Sequence, residues 1–413
     1  MTKMLVLEFK VRAKKEQFAA IDEAIRTAQF IRNKCLRYWM DNKGVGKYDL
    51  NKYCRTLAQD FKFAEELNSQ ARQASAERAW SAIRRFFDNC KQKVPGKKGY
   101  PKFKKNGRSV EYKTTGWKLD LETRKAITFT DKKQIGRVRL VGTYDLHFYQ
   151  VEQIKRVRLV SRADGYYCQF LIAVDVKIES EPTHNAIGLD VALTAFYTDD
   201  QGNKVENPRF LRKGEAQLKK LQKRLSRKQK GSTNRKKARQ RLAKCHLKIS
   251  RQRKDFAVKL ARCVIQSNDV IAYEDLRIKN LVKNRCLAKS ISDAAWYQFR
   301  VWLEYLGKKY GKITIAVAPN YTSQNCSNCG ETVKKSLSTR THICRCGCVL
   351  DRDENAAKNI LKKGWDTAGH TVIRLSKKSQ NACGEDTSTL VGSVLSKQVT
   401  SEKQESSPIL RSN

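Results

Sequence analysis

The stretch "CRCGCVLDRDENAAKN", residues 344–359, runs three cysteines straight into two aspartates at the start of a helix. Thiolates select soft metal ions and carboxylates select hard ones, so one short segment carries donors of both kinds. The thiol half has a partner upstream. "CSNCG" supplies Cys326 and Cys329, and "CRCGC" supplies Cys344, Cys346 and Cys348. A CxxC followed after a short loop by a second close pair is the spacing of a zinc ribbon, in which two knuckles offer four thiolates to tetrahedral Zn²⁺. Cys344 with Cys346 is the expected second pair, because Gly347 follows Cys346 as Gly330 follows Cys329. Cys348 and His342 stand in reserve as ligands. A disulfide framework fits poorly, since the other eight of the 13 cysteines are scattered singly along the chain.

The carboxylate half leads further out. Asp351 and Asp353, taken alone, are explained as caps of the helix "ENAAKNILKK". Two more acids complicate that reading. Asp190 lies in the apolar strand "NAIGLDVALTAFYTDDQGNKV", and Glu274 ends the apolar strand "DVIAYEDLRIKNL". Buried acids are costly unless paired or bound to a cation. Two strands and a helix start, 84 and then 79 residues apart, thus deliver one carboxylate each: Asp190, Glu274 and Asp353. Three such groups brought together do not all stay ionised without a cation, and oxygen donors select Mg²⁺ or Mn²⁺. Two such ions about 3.5–4 Å apart activate a water and stabilise the leaving oxygen in phosphodiester hydrolysis. Strand-borne acids on a mixed sheet with flanking helices point to an α/β fold of RNase H-like (RuvC-type) nuclease. The zinc ribbon is then a rigid clip for the loop that delivers Asp353.

The rest of the chain fits a nucleic-acid partner. Its 413 residues carry 85 Lys+Arg against 41 Asp+Glu, a net charge of +44, which calls for a polyanion. Residues 209–254 hold 20 Lys/Arg and one acid, Glu215. Leu211, Leu218, Leu221 and Leu225 share one helical face, and Ala238, Leu242, Cys245, Ile249, Phe256 and Leu260 another, so 209–260 reads as a basic helical hairpin with an apolar seam. Near the start, Phe18, Ile21, Ile25, Ala28, Ile31 and Cys35 mark one amphipathic helix, and Ala76, Trp80, Ile83, Phe87 and Cys90 a second. After "VPGKKGYPKFKK" the period becomes two, in "SVEYKTTGWKLDLE", "KAITFT", "IGRVRLVG" and a hairpin turning at Ala163-Asp164-Gly165. This basic β-rich module gains a strand from Met1–Lys10. Beyond about residue 365 the chain is rich in Ser, Thr, Lys and Gln and is expected to be disordered. No 18-residue apolar run exists, so no membrane span is expected, and the scattered thiols suggest a reducing cytoplasm.

The segments "IGLDVAL", "VIAYEDL", "SQNCSNCG" and "CGCVLDRDENAAKNIL" resemble the signature set of the TnpB/OrfB family, transposon-encoded proteins related to the type V CRISPR effector nucleases. The likeness extends over most of the chain, including "GKKGYPKFKK" and "HLKISRQRKDF". It implies an RNase H-like nuclease with an inserted zinc ribbon, preceded by an oligonucleotide-binding β-barrel with a helical insert. On this chain the barrel would take 1–10 and 94–178, the helical insert 11–93, the nuclease 184–365 with its ribbon at 322–350, and a tail 366–413. The catalytic acids implied are Asp190, Glu274 and Asp353, the last preferred to Asp351 because it holds the D-x-N-A position. The zinc ligands implied are Cys326, Cys329, Cys344 and Cys346, with the CxC knuckle the visible departure from the family pattern. The implied activity is an RNA-guided, metal-dependent DNA endonuclease, with a guide RNA from the transposon end and a double-stranded DNA target, acting in the cytoplasm or at the nucleoid of a prokaryote. Competing readings are a guide-dependent DNA-binding protein that does not cut and a transposase that joins strands itself. None of the five histidines lies in an HxH pair, which disfavours the latter.

Overall fold

A computed structural model describes residues 3–132, 134–174, 181–336 and 339–379, with side chains to 368. The chain divides into two compact units, Met1–Asp175 and Val176–Asn413.

The first unit opens with β1 (Lys3–Arg12), whose Leu7, Phe9 and Val11 point inward while Met4, Val6 and Lys10 face solvent, the period-2 pattern of a half-buried strand. Four helices follow: α1 (Lys15–Asp41), α2 (Lys47–Asp60), α3 (Lys62–Glu65) and α4 (Ser69–Lys91). The chain then forms β2 (Ser109–Tyr112), β3 (Trp117–Leu119), β4 (Ala126–Phe129), β5 (Gly136–Val141), β6 (Ile154–Arg162) and β7 (Gly165–Val174). All pairings are antiparallel, in the order β2-β6-β7-β1-β5-β4-β3.

The two outermost strands, β2 and β3, are separated by only residues 113–116. A flat seven-stranded sheet would set its edges about 29 Å apart at roughly 4.8 Å per strand, further than so short a link reaches. The sheet therefore curls into a barrel. Across the seam the Tyr112 ring of β2 meets Phe129 of β4 at 4.8 Å between centroids, and the Tyr112 hydroxyl donates to Asp131 at 2.9 Å. The single strand expected from "SVEYKTTGWKLDLE" is thus two strands, broken at the barrel corner by a 3₁₀ turn over Thr114–Gly116.

On α4 the buried face also differs from expectation. Ala71, Ala74, Ser75, Ala76, Ala79 and Ile83 are buried, Trp80 is half-buried, and Phe87 and Cys90 are exposed. Small residues let α4 lie close to Ala24 and Ala28 of α1, and this close packing overrides the more conspicuous stripe of large residues.

The second unit is built on β8 (Ala186–Asp190), β9 (Ala195–Asp199), β10 (Lys204–Glu206), α5 (Phe210–Ser226), α6 (Thr233–Ser267), β11 (Val270–Glu274), α7 (Ile278–Leu281), α8 (Ala288–Ala294), α9 (Trp296–Tyr310) and β12 (Ile313–Val317). It ends with the hairpin β13 (Thr341–Ile343) and β14 (Val349–Asp351) and the helix α10 (Arg352–Ser379). The main sheet runs β10-β9-β8-β11-β12, with β8, β11 and β12 parallel and the β9–β10 hairpin antiparallel. On one face Leu189, Phe196, Ile271 and Tyr273 pack on Ala261 and Val264 of α6 and Phe299 and Leu303 of α9. On the other, Val270, Ala272, Ile315 and Val317 pack on Ile360 and Ala368 of α10.

The basic hairpin has the expected seam, with Leu218 of α5 against Leu242 and Ile249 of α6. Its second helix runs on to Ser267, so that one 35-residue rod carries both the basic hairpin and a core face. The first residues of the tail expected from residue 366 are helical. Helix α10 continues to Ser379, and Ala368 is buried, because its inner face still has sheet to cover. Residues 380–413 lie outside the described residues. Among the described residues no helix is long and apolar enough to cross a membrane, and all twelve cysteines are unpaired.

Candidate active site and cysteine cluster

Strand parity decides where two of the acids point. In β8 and β11 the side chains of Gly188 and Asp190, and of Ala272 and Glu274, lie on the same face as α10. A Cβ on Gly188 would fall 2.9 Å from Leu361 Cβ and closer still to the Ala357 carbonyl, and one on Gly364 would strike Ala272. Helix α10 therefore lies hard against these two strands, and only glycine fits at 188. Tyr273 pairs with Leu189 in parallel register, which sets Asp190 and Glu274 one step on, at neighbouring C-terminal strand ends. The first turn of α10 carries Asp353, 9% exposed.

Asp190 senses the other two carboxylates. Burial pushes Asp190 well above the usual carboxylate range, Glu274 and then Asp353 push it further, the Arg352 guanidinium opposes them, and Asp351 adds the smallest push. Glu274 is also raised, first by burial, against the Thr322 hydroxyl and the Lys363 ammonium, which hold it down. Asp351 behaves differently. It accepts from Asp353 N–H (2.9 Å) and pairs with Lys204 Nζ (2.7 Å). Burial pushes it up, but Lys204 and these backbone donors keep it below its ordinary value. Of the two neighbouring aspartates, then, Asp351 caps the helix and Asp353 joins the acidic group.

Among the described residues only Cys326, Cys329, Cys344 and Cys346 bring metal-binding atoms all within 4.8 Å of one another. The three acids are not drawn as close. Cys326 and Cys346 sulfurs are 3.7 Å apart, and those of Cys329 and Cys344 3.5 Å. Zn–S bonds of about 2.3 Å at the tetrahedral angle place sulfurs about 3.8 Å apart, so the four fit a zinc ion.

Both knuckles turn on a left-handed glycine, Gly330 at φ +83° and Gly347 at φ +85°. Gly330 N–H donates to the Cys326 carbonyl and Gly347 N–H to that of Cys344. The CxC knuckle is one residue shorter but closes in the same way. Burial pushes the Cys326 thiol up, yet the backbone N–H groups of Cys329 and Asn328 bring it down to about 5. Cys346 is lowered too, whereas Cys329 and Cys344, though backbone N–H groups hold them down, are raised by burial and neighbouring thiols. Cys348 sits in the hairpin instead, its carbonyl accepting from Cys344 N–H. His342 is fully buried with Nδ1 against Lys335 Nζ, outside the four-sulfur group.

Sequence reasoning missed how the two halves are joined. Asn355, Asn359 and Lys363 recur every fourth residue along one face of α10, and all three grip the 320–327 loop that leads into the first knuckle. Asn355 accepts from Ser327 N–H (2.9 Å) and donates to the Asn325 carbonyl (2.8 Å). Asn359 donates to the carbonyls of Thr322 (2.9 Å) and Asn325 (2.7 Å), and Lys363 to that of Asn320 (2.6 Å). From the same loop Thr322 donates its hydroxyl to Glu274 at 2.6 Å. One loop thus links the cysteine cluster, the helix carrying Asp353 and the strand-end glutamate. The i, i+4, i+8 polar row was the available signal, and it reads from sequence as an ordinary solvated helix face.

A family model described as "Probable transposase" (OrfB_IS605) matches residues 169–285, and the Cas12f1-like TNB domain model matches 296–360. A Streptomyces pristinaespiralis protein named "Putative RNA-guided DNA endonuclease" is 32% identical over 363 residues, covering 84% of this chain and 86% of that one. The chain belongs to the TnpB/OrfB family. A second relative in the TnpB/OrfB group, Escherichia coli InsQ, also named "Putative RNA-guided DNA endonuclease", is 27% identical over 411 residues, covering 93% of this chain and 95% of its own. Among solved structures, the Cas12f1 chain of a Cas12f1–sgRNA–target DNA complex matches with a TM-score of 0.55 at 15% identity, over 84% of this chain and 83% of that one. The mini RNA-guided endonuclease Cas_phi3 matches at 0.52 and 9%, over 88% and 92%. These two likenesses show that the chain shares the mixed α/β fold of those two proteins.

Proposed function

We propose that this TnpB/OrfB chain is an RNA-guided, divalent-metal-dependent DNA endonuclease encoded by a transposon. The observation that carries the reading is the meeting of Asp190, Glu274 and Asp353 on the α10 face of the sheet, where each raises the cost of ionising Asp190. In this reading the second unit is an RNase H-like (RuvC-type) nuclease with a zinc-ribbon insertion, and the first is an oligonucleotide-binding barrel with a helical insert. Asp190, Glu274 and Asp353 would hold Mg²⁺ or Mn²⁺, and Cys326, Cys329, Cys344 and Cys346 would hold Zn²⁺. The bound divalent ions supply an activated water and charge stabilisation at the scissile phosphate.

The chain's own residues do the rest. Thr322 orients Glu274 and favours its ionised form, Asp351 fixes the start of α10, and the asparagine row holds Asp353 in register with the strand ends. The basic helical hairpin and the net charge of +44 suit phosphate contacts along a guide RNA–target DNA heteroduplex, whose sequence is read by base pairing rather than by the protein. The names of its relatives support a guide RNA and a double-stranded DNA target as partners, and such a protein would act in the cytoplasm or at the nucleoid.

The test is cleavage of a plasmid matched to a co-expressed guide RNA in the presence of Mg²⁺. Cutting is expected for the parent and absent for Asp190→Ala. A variant that cuts as well as the parent refutes the catalytic assignment.

A further inference from the structure

The first unit neutralises most of its partly buried cations with care. Glu111 takes Arg156 and Arg158 at 2.6 Å each, Glu77 takes Arg156 and Lys113, and Glu8 takes Arg162. Three cations break this pattern. Arg32 of α1, Arg78 of α4 and Lys104 of the segment before β2 line one cavity of about 220 Å³, together with a fourth cation, Arg108, and no carboxylate is among its lining residues. Arg32 is only 7% exposed, and its Nη1 reaches nothing stronger than the Asn33 side-chain oxygen and the Lys102 carbonyl. Arg78 spends its guanidinium on the carbonyl and hydroxyl of Ser109, and the acid it senses, Glu111, is already committed to two other arginines. No carboxylate among the described residues pairs with Lys104.

The three are near enough to repel. Burial and then Arg78 lower Arg32, and burial followed by Arg78 and Arg32 lowers Lys104. Gathering like charges in a half-desolvated cavity is unfavourable for the isolated protein.

The rim of the cavity is fixed by hydrogen bonds. Asn33 binds both the N–H and the carbonyl of Lys104, and Gln29 binds the carbonyls of Lys104 and Lys105 and the N–H of Gly107. Gly107 approaches so closely that a Cβ there would lie 2.9 Å from Gln29 Oε1. A loop fixed by its backbone to α1 does not bring Lys104 to this place by chance motion, and a preorganised set of donors loses little on binding an anion. Two guanidinium groups and an ammonium on a cavity whose rim carries a further guanidinium, Arg108, beside the amides of Gln29 and Asn106 and the hydroxyls of Ser75 and Ser109, match a phosphate group.

We infer that Arg32, Arg78 and Lys104 form a seat for one backbone phosphate of the nucleic acid that this chain carries. The inference rests on the proposal that the chain binds nucleic acid and not on its cutting any.

The experiment measures binding of a fluorescein-labelled oligouridylate to the full chain, freed of copurifying RNA, across a series of salt concentrations. It compares the parent with Lys104→Gln, an exposed position where folding is not at stake, and with Arg78→Gln. Removing a cation that neutralises one phosphate flattens the slope of log K against log salt by about one. That decrease is expected for both variants, and inorganic phosphate should compete with the oligouridylate less well in each. A parent-like slope in Lys104→Gln overturns the seat, and competition by inorganic phosphate that weakens in the variants without a change of slope makes it a small-anion site and overturns it too. Failure of the parent itself to bind would instead sink the nucleic-acid reading as a whole.

Discussion

Asn355→Ala tests the junction between the thiolate cluster and the acids. The Asn355 side chain is fully buried and makes two hydrogen bonds to the loop that enters the first knuckle. Their loss is unequal. The Asn325 carbonyl keeps a second donor in Asn359, so losing that bond costs about 0.5–1.5 kcal/mol. Ser327 N–H, half-buried, is left without its partner, which costs at most about 1–3 kcal/mol. The sum, at most about 1.5–4.5 kcal/mol, is beyond the roughly 0.5 kcal/mol of an ordinary surface change. Urea unfolding of zinc-loaded protein should show this loss at unchanged m-value. Zinc release to a chelator should quicken as well, because the loop positioning Cys326 loses its anchor. A loss under about 0.5 kcal/mol with unaltered zinc release would refute the idea that α10 and the first knuckle are one mechanical piece.

Thr322→Val removes the hydroxyl that holds Glu274 down, so the carboxyl should rise further and the acid limb of the pH–rate profile should move to higher pH; an unmoved limb contradicts that role. Because burial already raises Asp190 and Glu274 above their unfolded values, metal-free protein binds extra protons when folded and should lose stability as pH climbs from the ordinary carboxylate range through the raised one, with Mg²⁺ restoring it in urea titrations. Cys346→Ser should release the zinc measured by atomic absorption, whereas Cys348→Ser should retain it. Gly188→Ala drives a methyl into the Ala357 carbonyl and Leu361 and should cost at least about 1–3 kcal/mol in thermal unfolding.

What could be read in the sequence was what short periods and spacings encode. Alternation in "KMLVLEFKVR" marks β1, and the leucine row of 211–225 marks α5, because burial there depends on one face of one element. The cysteine spacing and the trailing glycines likewise carry the knuckles in local geometry. What escaped was set by distant partners. The corner at Thr114–Gly116 exists because the barrel closes there, and nothing within "SVEYKTTGWKLDLE" states which neighbours its two halves will find. Helix α4 turns its small residues inward because α1 lies against it, so the larger Phe87 is left outside. The same holds at the site. Asp351 is drawn aside by Lys204, 147 residues away, while Asp353 bears more strongly on Asp190 at the strand end beneath α10. Asn355 and Asn359 look like solvated residues until the loop they clasp is in place.

The central claim is that Asp190, Glu274 and Asp353 seat divalent cations, and Mn²⁺ binding followed by electron paramagnetic resonance on the zinc-loaded full chain tests it most directly. The parent and Asp351→Asn should both bind Mn²⁺, while Asp190→Asn and Asp353→Asn should each lose that binding and keep their zinc. Equal losses in Asp351→Asn and Asp353→Asn, or Mn²⁺ binding that survives in Asp190→Asn, would contradict it.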